Sequence, residues 1–286
     1  MDPDLGLFGP GSVTWKVHEE PIVSLGGLRS LYLQALHPRA VAGVAQNSSY
    51  RSDPWGRLNR TSEYVGTVLY GTMAEVEAAA SRVRRLHSRM TAVDSRTGER
   101  FRIDEPELLR WVHVAEVESF VTTARRAGLK LTDDEVDTYY TEQLRAAELV
   151  GLDPATVPAT AAEVEAYYEA MRPELGLTKE GAETALFLTV PPVPDMWGGS
   201  AVRLALNLSP ARWGYLGIAG TAIAMLPSWA RKIYGGLGWP TTDFTADLSA
   251  RAMRLLLQGV LAALPAEYRI PPMRRAALER AGLVRR

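Results

Sequence analysis

The sequence contains no cysteine. That absence removes disulfides, zinc–thiolate sites, iron–sulfur clusters, cysteine nucleophiles and thiolate-ligated haem together. It is silent on redox compartment, because a chain without thiols suits either. Histidine is scarce: His18, His37, His87 and His113 are the only four, so any imidazole site is drawn from them. Lysine is rarer than arginine by four to 28; a GC-rich coding bias accounts for the ratio, and arginine forks suit carboxylates and phosphates regardless. An excess of one charge is also missing. With 32 basic and 33 acidic residues the net charge is −1, so no global field favours nucleic acid or an anionic membrane surface. The sequence has no Gly-x-Gly-x-x-Gly, P-loop or His-Glu-x-x-His motif. It lacks Glu-x-x-His, which argues against a di-iron carboxylate bundle. Gly-x-Ser-x-Gly is absent too, and Gly9-Pro10-Gly11-Ser12 reads only as a loop. The N-terminus MDPDLGLFGPGSVTW shows no secretory pattern, so a cytoplasmic location is expected.

What is present reads as helix. The 286 residues are 47% hydrophobic and 23% charged, near the globular average. Ser24 to Leu36 places Leu25, Leu28, Leu31, Tyr32 and Ala35 at helical spacing and stops at His37-Pro38. A short helix follows over 39–46. Asp53 and Pro54 are an N-cap and first-turn pair, with a break expected at Gly66 or Gly71. Residues 73–90 repeat apolar positions in steps of three and four. A turn or small hairpin is expected around Thr97-Gly98. Helices are then expected over 105–126, from a Thr132–Glu135 capping box to Val150, and over 160–171 and 177–190. Three more are expected at about 195–208, 210–234 and 243–264. Trp213 to Ala230 carries no charge but holds Gly214, Gly217, Gly220 and Pro227. It is expected as a buried helix rather than a membrane span, with peripheral membrane association left open. The fold class is therefore all-α: a single globular helical domain over 1–286 of about ten helices. Residues 1–22 form an N-terminal extension and 265–286 a basic C-terminal tail.

His87 falls on the apolar stripe of 73, 76, 80, 83 and 90, so it is expected to face the core. A core histidine is either hydrogen-bonded or, as a neutral imidazole, an axial ligand for iron. His113 lies on a partly apolar helix face with Glu116 three residues on, able to hold its ring; structural and functional readings are equally open. His37 ends an apolar helix, where it opposes the dipole or serves a site. His18 is expected at the surface. Arg57, Arg60 and Thr61 share one face near a helix start, two cations and a hydroxyl suited to a carboxylate such as a haem propionate. No acid lies between Glu20 and Asp53, so Arg29, Arg39 and Arg51 lack local partners, which favours an anionic ligand.

The ordered segments GPGSVTWKVHEE, LQALHPRAVAGVAQNSSY, DPWGRLNRT, RRLHSRM and ELLRWVHVAEVES resemble the MpaB-type oxygenase family, which includes rubber oxygenases. The likeness runs through nearly the whole chain and is densest over 9–120. The resemblance implies a globin-like arrangement of helices around haem b. It also implies oxidative chemistry with dioxygen on an apolar small molecule, such as cleavage of isoprenoid double bonds. It places the family's R-x-x-[KR]-T motif on Arg57, Arg60 and Thr61, and its proximal iron ligand on His87. His113 joins the expected haem-binding set, with Arg60, His37 and Thr61 on the catalytic side. Two departures stand out. Where rubber oxygenases have a distal lysine, this chain has Arg60, a poor ligand because it stays protonated. Their distal glutamate has no counterpart, since 21–52 contains no acid; His37 is the candidate distal polar group. The alternatives are a peroxidase-like oxidase on this scaffold and a non-catalytic haem- or lipid-binding protein.

Overall fold

Helix boundaries follow local capping chemistry. In the computed structural model the described residues are 4–48, 53–191, 209–235 and 242–284. They form α1 (Val13–His18), α2 (Val23–Gln34), α3 (Pro38–Asn47), α4 (Pro54–Tyr70) and α5 (Met73–His87). A hairpin of β1 (Thr91–Val93) and β2 (Arg100–Arg102) follows. Then come α6 (Pro106–Arg126), α7 (Asp133–Leu149), α8 (Ala161–Met171) and α9 (Lys179–Thr189). The last four are α10 (Pro210–Ala224), α11 (Ser228–Ile233), α12 (Asp243–Ala263) and α13 (Pro272–Arg280). The Asp53 side chain accepts from the Gly56 amide with Pro54 in the first turn, and α4 runs through Gly66 to stop at Gly71. Thr132 and Glu135 form the reciprocal capping box of α7. The strands pair antiparallel with Ala92 opposite Phe101, and Gly98 supplies the positive φ of the turn.

The chain folds as a single all-α domain built around α6, ten of whose residues are buried. On one side Trp111, Val114, Val117 and Val121 pack with Tyr139 and Tyr140 of α7 and Val164 and Tyr168 of α8. On another lies α2, whose Leu25, Tyr32 and Leu33 join Met225, Leu226 and Tyr234. The helices approach closely at Gly26, where a Cβ would lie 2.9 Å from the Ser119 carbonyl oxygen. Between them Arg29 is fully buried. Its Nη1 donates to Glu118 Oε2 at 2.6 Å and its Nη2 to Oε1 at 3.0 Å. Nη1 also reaches Ser119 Oγ at 2.7 Å, and Nε donates to the Met225 carbonyl at 2.9 Å. Tyr168 donates its hydroxyl to the same carboxylate at 3.1 Å.

Three expectations need correction. The single helix over 210–234 is two, α10 and α11, broken at 225–227. Pro227 has no N–H to donate and disfavours helical backbone before it. The uncharged 213–230 stretch is not buried all round: Ala219 and Ala222 are, but Trp213, Gly217 and Gly220 face solvent. Arginines 29 and 39 are paired after all, through partners remote in sequence. Arg39 meets Glu105 at 3.2 Å and lies over the Phe101 ring; Arg51 lies outside the described residues, as does the helix expected over 195–208. The chain's two ends are built into the domain. Trp15 donates to the Leu69 carbonyl at 3.0 Å. Ala277 of α13 is buried beside Trp15 and Tyr70, and Arg274 pairs with Glu19 at 2.7 Å. No described helix is long and apolar enough to cross a membrane.

Because Arg29 has no water to fall back on, Glu118→Ala is expected to destabilise the fold by about 3–5 kcal/mol, the usual consequence of stranding one buried charge. The charge-free pair Arg29→Met with Glu118→Leu should lose far less. Urea unfolding of both variants checks the contrast.

Candidate functional site

An apolar cavity lies between α2, α3, α4, α6, α9 and α10, with an empty volume of about 1050 Å³ counted out to its solvent mouth. Leu28, Leu31 and Ala35 of α2 form one wall, Val41 and Val44 of α3 another, and Phe187 and Leu188 of α9 a third. Its polar groups are few: Gln34, Thr184, Tyr215, and Arg57 with Thr61 on α4. Tyr215 is already committed, donating to the Leu188 carbonyl at 2.7 Å. Gln34 went unread because a single amide inside the apolar run LYLQAL carries no motif.

The i, i+3, i+4 motif divides between two environments. Arg57 and Thr61 face the cavity. Arg57 donates from Nε to Ser48 Oγ at 2.7 Å, and no carboxylate among the described residues pairs with it. Burial, and then the charge of Arg60, depress its guanidinium below the usual range. Thr61 donates to the Arg57 carbonyl at 3.1 Å. Arg60 turns outward to Asp53 at 3.2 Å and is outside the cavity wall.

The histidines fall into two pairs. His18 is not at the surface: it is half-buried, meets the Tyr139 hydroxyl at 3.2 Å and packs edge-on against Phe120. His37 caps α3, its Nδ1 accepting from the Ala40 amide at 3.3 Å, with its ring against Trp111. It serves the N-terminus of the next helix rather than the C-terminus of its own. His87 and His113 make no hydrogen bond within the described structure. His87 ends α5 and is half-buried rather than core. Val76 and Ala80 of its stripe are buried, while Met73 is 40% exposed. Neither His87 nor His113 lines the cavity, but Val112, beside His113, does. His87 is close enough to Arg57 and Asp104 to feel both charges.

Burial holds every one of these imidazoles neutral. It pushes His18 down to about 3. His37 falls to about 4, with Arg96 and Arg39 adding to the effect of burial. His113 falls to about 4 through burial alone. His87 is lowered by burial and Arg57, against the pull of Asp104. Glu116 is the mirror case, raised by burial to about 7. It forms no hydrogen bond with His113, so it does not hold that ring. Its charge instead reaches Tyr64 of α4 and Tyr139 of α7. Tyr64, His87, His113 and Glu116 all keep some accessible surface while enclosed by protein.

The donor set suits a porphyrin better than a bare ion. Among the described residues no group of three or more His, Asp or Glu could hold a metal. A porphyrin supplies four ligands itself and asks the protein for an axial imidazole, cations for its carboxylates and apolar walls. Arg57 and the cavity offer the last two, and His87, near Arg57 but outside the cavity wall, is the neighbouring imidazole.

A family model described as "ER-bound oxygenase mpaB/B'/Rubber oxygenase, catalytic domain" matches residues 15–258. No curated protein and no solved structure matches the chain.

Glu116 gives the fold a definite pH signature. A carboxyl raised in the folded state stabilises fully below its unfolded value and loses that contribution as pH rises through its folded value. The window here runs from 4.5 to about 7. The buried histidines act in the opposite sense below their ordinary value, but they are common to both proteins in a comparison with Glu116→Gln. Across that window the variant should gain on the parent by on the order of 3 kcal/mol. Urea midpoints measured at intervals of pH read it, and parallel curves would show that Glu116 is ionised throughout.

Proposed function

The chain belongs to the mpaB/rubber oxygenase catalytic-domain family, and on that premise we propose that it is a haem b-dependent oxygenase acting with dioxygen on an apolar small molecule. The observation that carries this reading is His87: a neutral imidazole with no hydrogen bond, beside a desolvated guanidinium that opens onto an apolar cavity. A neutral imidazole has a lone pair to give to iron. Haem, when bound, supplies the iron that activates dioxygen.

The chain's own residues have the remaining tasks. His87 would hold the haem iron from the end of α5. Arg57 neutralises a propionate, a role that fits a cation lacking a protein carboxylate. Thr61 holds the Arg57 backbone and shapes the adjoining wall. Arg60, paired with Asp53 at the rim, adds positive potential on the propionate side and is unsuited to capping iron. His113 sits on α6 beside Val112 of the cavity wall. His37 acts through the wall it caps, positioning Ala40 and Val41, rather than by contact with iron. The aliphatic lining from α2, α3 and α9 excludes water and takes the substrate's apolar body. The helical frame in this reading is the globin-like one that the family resemblance implies.

Purified protein should show a Soret band with about one haem per chain in the pyridine adduct assay. His87→Ala should lose stoichiometric haem while His113→Ala retains it. A fully haem-loaded His87→Ala protein would sink the axial assignment. Transfer of label from isotopic dioxygen into product separates oxygenation from peroxidase-like oxidation.

A further inference from the structure

Helix α12 is amphipathic in the wrong direction. Ala246 and Ala250 of its inner face pack on Ala222 of α10, with Met253 and Leu257 beside them. Its outer half carries Phe244, Leu248, Leu255, Leu256 and Val260, each between 51 and 76% exposed. At 100° per residue these five fall within one half of the helical wheel. Ala252, Gly259 and Ala263 fill spaces between them, with Thr245 and Ser249 on the same half, and all five are exposed as well. One exposed leucine needs no explanation, but a continuous face over a 21-residue helix does. The neighbouring helix α10, which packs against both α9 and α12, adds Trp213 at 67% exposure.

Charge around this face narrows the partner. From residue 209 onward the sequence has eleven Lys and Arg against four Asp and Glu, a net of +7, of which Arg254 and Arg274 are paired with Glu20 and Glu19 from the preceding part. Lys232, Arg251 and Arg269 have no carboxylate partner among the described residues, and all three are exposed. Arg269 is held at the end of α12, donating from Nε to the Leu264 carbonyl at 2.9 Å. Arg251 lies at the edge of the apolar face itself. A two-fold pairing of this face with a second copy would set like charges against each other, since such an interface repeats the same patch. An anionic surface gains from the same cations, and an exposed tryptophan suits the headgroup level.

We propose that the outer face of α12, with Trp213 of α10, docks on the surface of an anionic phospholipid bilayer. The helix lies in the interface plane with its leucines below the headgroups and Arg251 and Arg269 among the phosphates. Helix α10 also gives Tyr215 to the cavity wall, so the docked face and the cavity share an element. The surface stands apart from the chemistry: vesicle binding reads it whatever reaction the cavity hosts.

Co-sedimentation of the full chain with phosphatidylcholine vesicles, with and without about one-third phosphatidylglycerol, is the test. The protein should pellet with the anionic vesicles, more weakly with neutral ones, and less as salt rises. Leu255→Glu with Leu256→Glu should weaken binding roughly tenfold or more, as expected when two leucines no longer leave water. Both positions are exposed, and circular dichroism confirms that the variant folds. Failure to pellet with anionic vesicles would overturn the proposal, and so would equal binding by the folded variant. Light scattering that finds a dimer dissolved by the same two substitutions would assign the face to a second copy and overturn it as well.

Discussion

The geometry of this protein depends on one buried ion pair. Arg29 and Glu118 are bidentate at 2.6 and 3.0 Å, in a place with no water to replace either. The pair spans more than the α2–α6 contact. Through Met225 it reaches the break between α10 and α11, and through Tyr168 it reaches α8. Arg126 donates to the same Met225 carbonyl at 3.0 Å. A carbonyl freed by the approach to Pro227 thus becomes the acceptor that ties the C-terminal helices to the centre. Such a pair adds little net stability over an apolar substitute, but it tolerates few alternative registers. Fixing α2 matters because its other face is the cavity wall. With Gly26 pressed against α6, Leu28, Leu31 and Ala35 have one direction left to face. Tyr32 continues the arrangement outward, meeting Thr189 Oγ1 at 2.9 Å and accepting at its carbonyl from the Tyr234 hydroxyl at 2.6 Å.

Much of the fold was legible because helix ends are local events. A cap needs a side chain and a backbone amide three residues apart, and Asp53 with Gly56 and Thr132 with Glu135 announce themselves in sequence. The helix in 210–234 was misjudged where absence of charge outweighed Pro227, although a proline with several apolar residues on each side is itself a local signal. Other features had no local signal. The partner of Arg29 stands 89 positions away, so its apparent lack of a counter-ion reflected only the reach of the eye along the chain. His18 was read as exposed from its neighbours Glu19 and Glu20. Tyr139 and Phe120, which enclose it, come from α7 and α6.

The site was legible in part, and the division follows the same physics. Arg57 and Thr61 were brought to notice by helical spacing, and spacing does set which residues share a side. It does not set which of two cations loses its water. Arg60 has Asp53 within reach at the helix start and remains solvated; Arg57, one turn earlier and facing inward, has only a hydroxyl partner among the described residues. The same residue type on the same helix thus ends with opposite roles. Among the histidines, sequence favoured His87 and His113 for different reasons. The structure adds a difference between these two and His18 and His37: His18 commits Nε2 to Tyr139 and His37 commits Nδ1 to the α3 cap. A neutral, enclosed imidazole with neither nitrogen committed can turn either one to a ligand and leave the other to be held by a neighbour.

The cavity and the α12 face pose one question about where apolar surface belongs. Inside, α2, α3 and α9 surround empty apolar space, which a protein tolerates when a ligand is to fill it. Outside, α12 turns Leu248, Leu255 and Leu256 to solvent while Ala246 and Ala250 face inward, the reverse of what burial alone would select at those positions. Alanines inward let α12 approach α10 closely, so the inner face is built for contact between helices. Two solvent-facing apolar features in one chain, with the basic charge gathered near the second, fit a protein whose ligand is poorly soluble in water. Such a ligand is found where apolar molecules collect. A catalyst for it gains from lying against that phase, because transfer into the cavity then need not pass through bulk water.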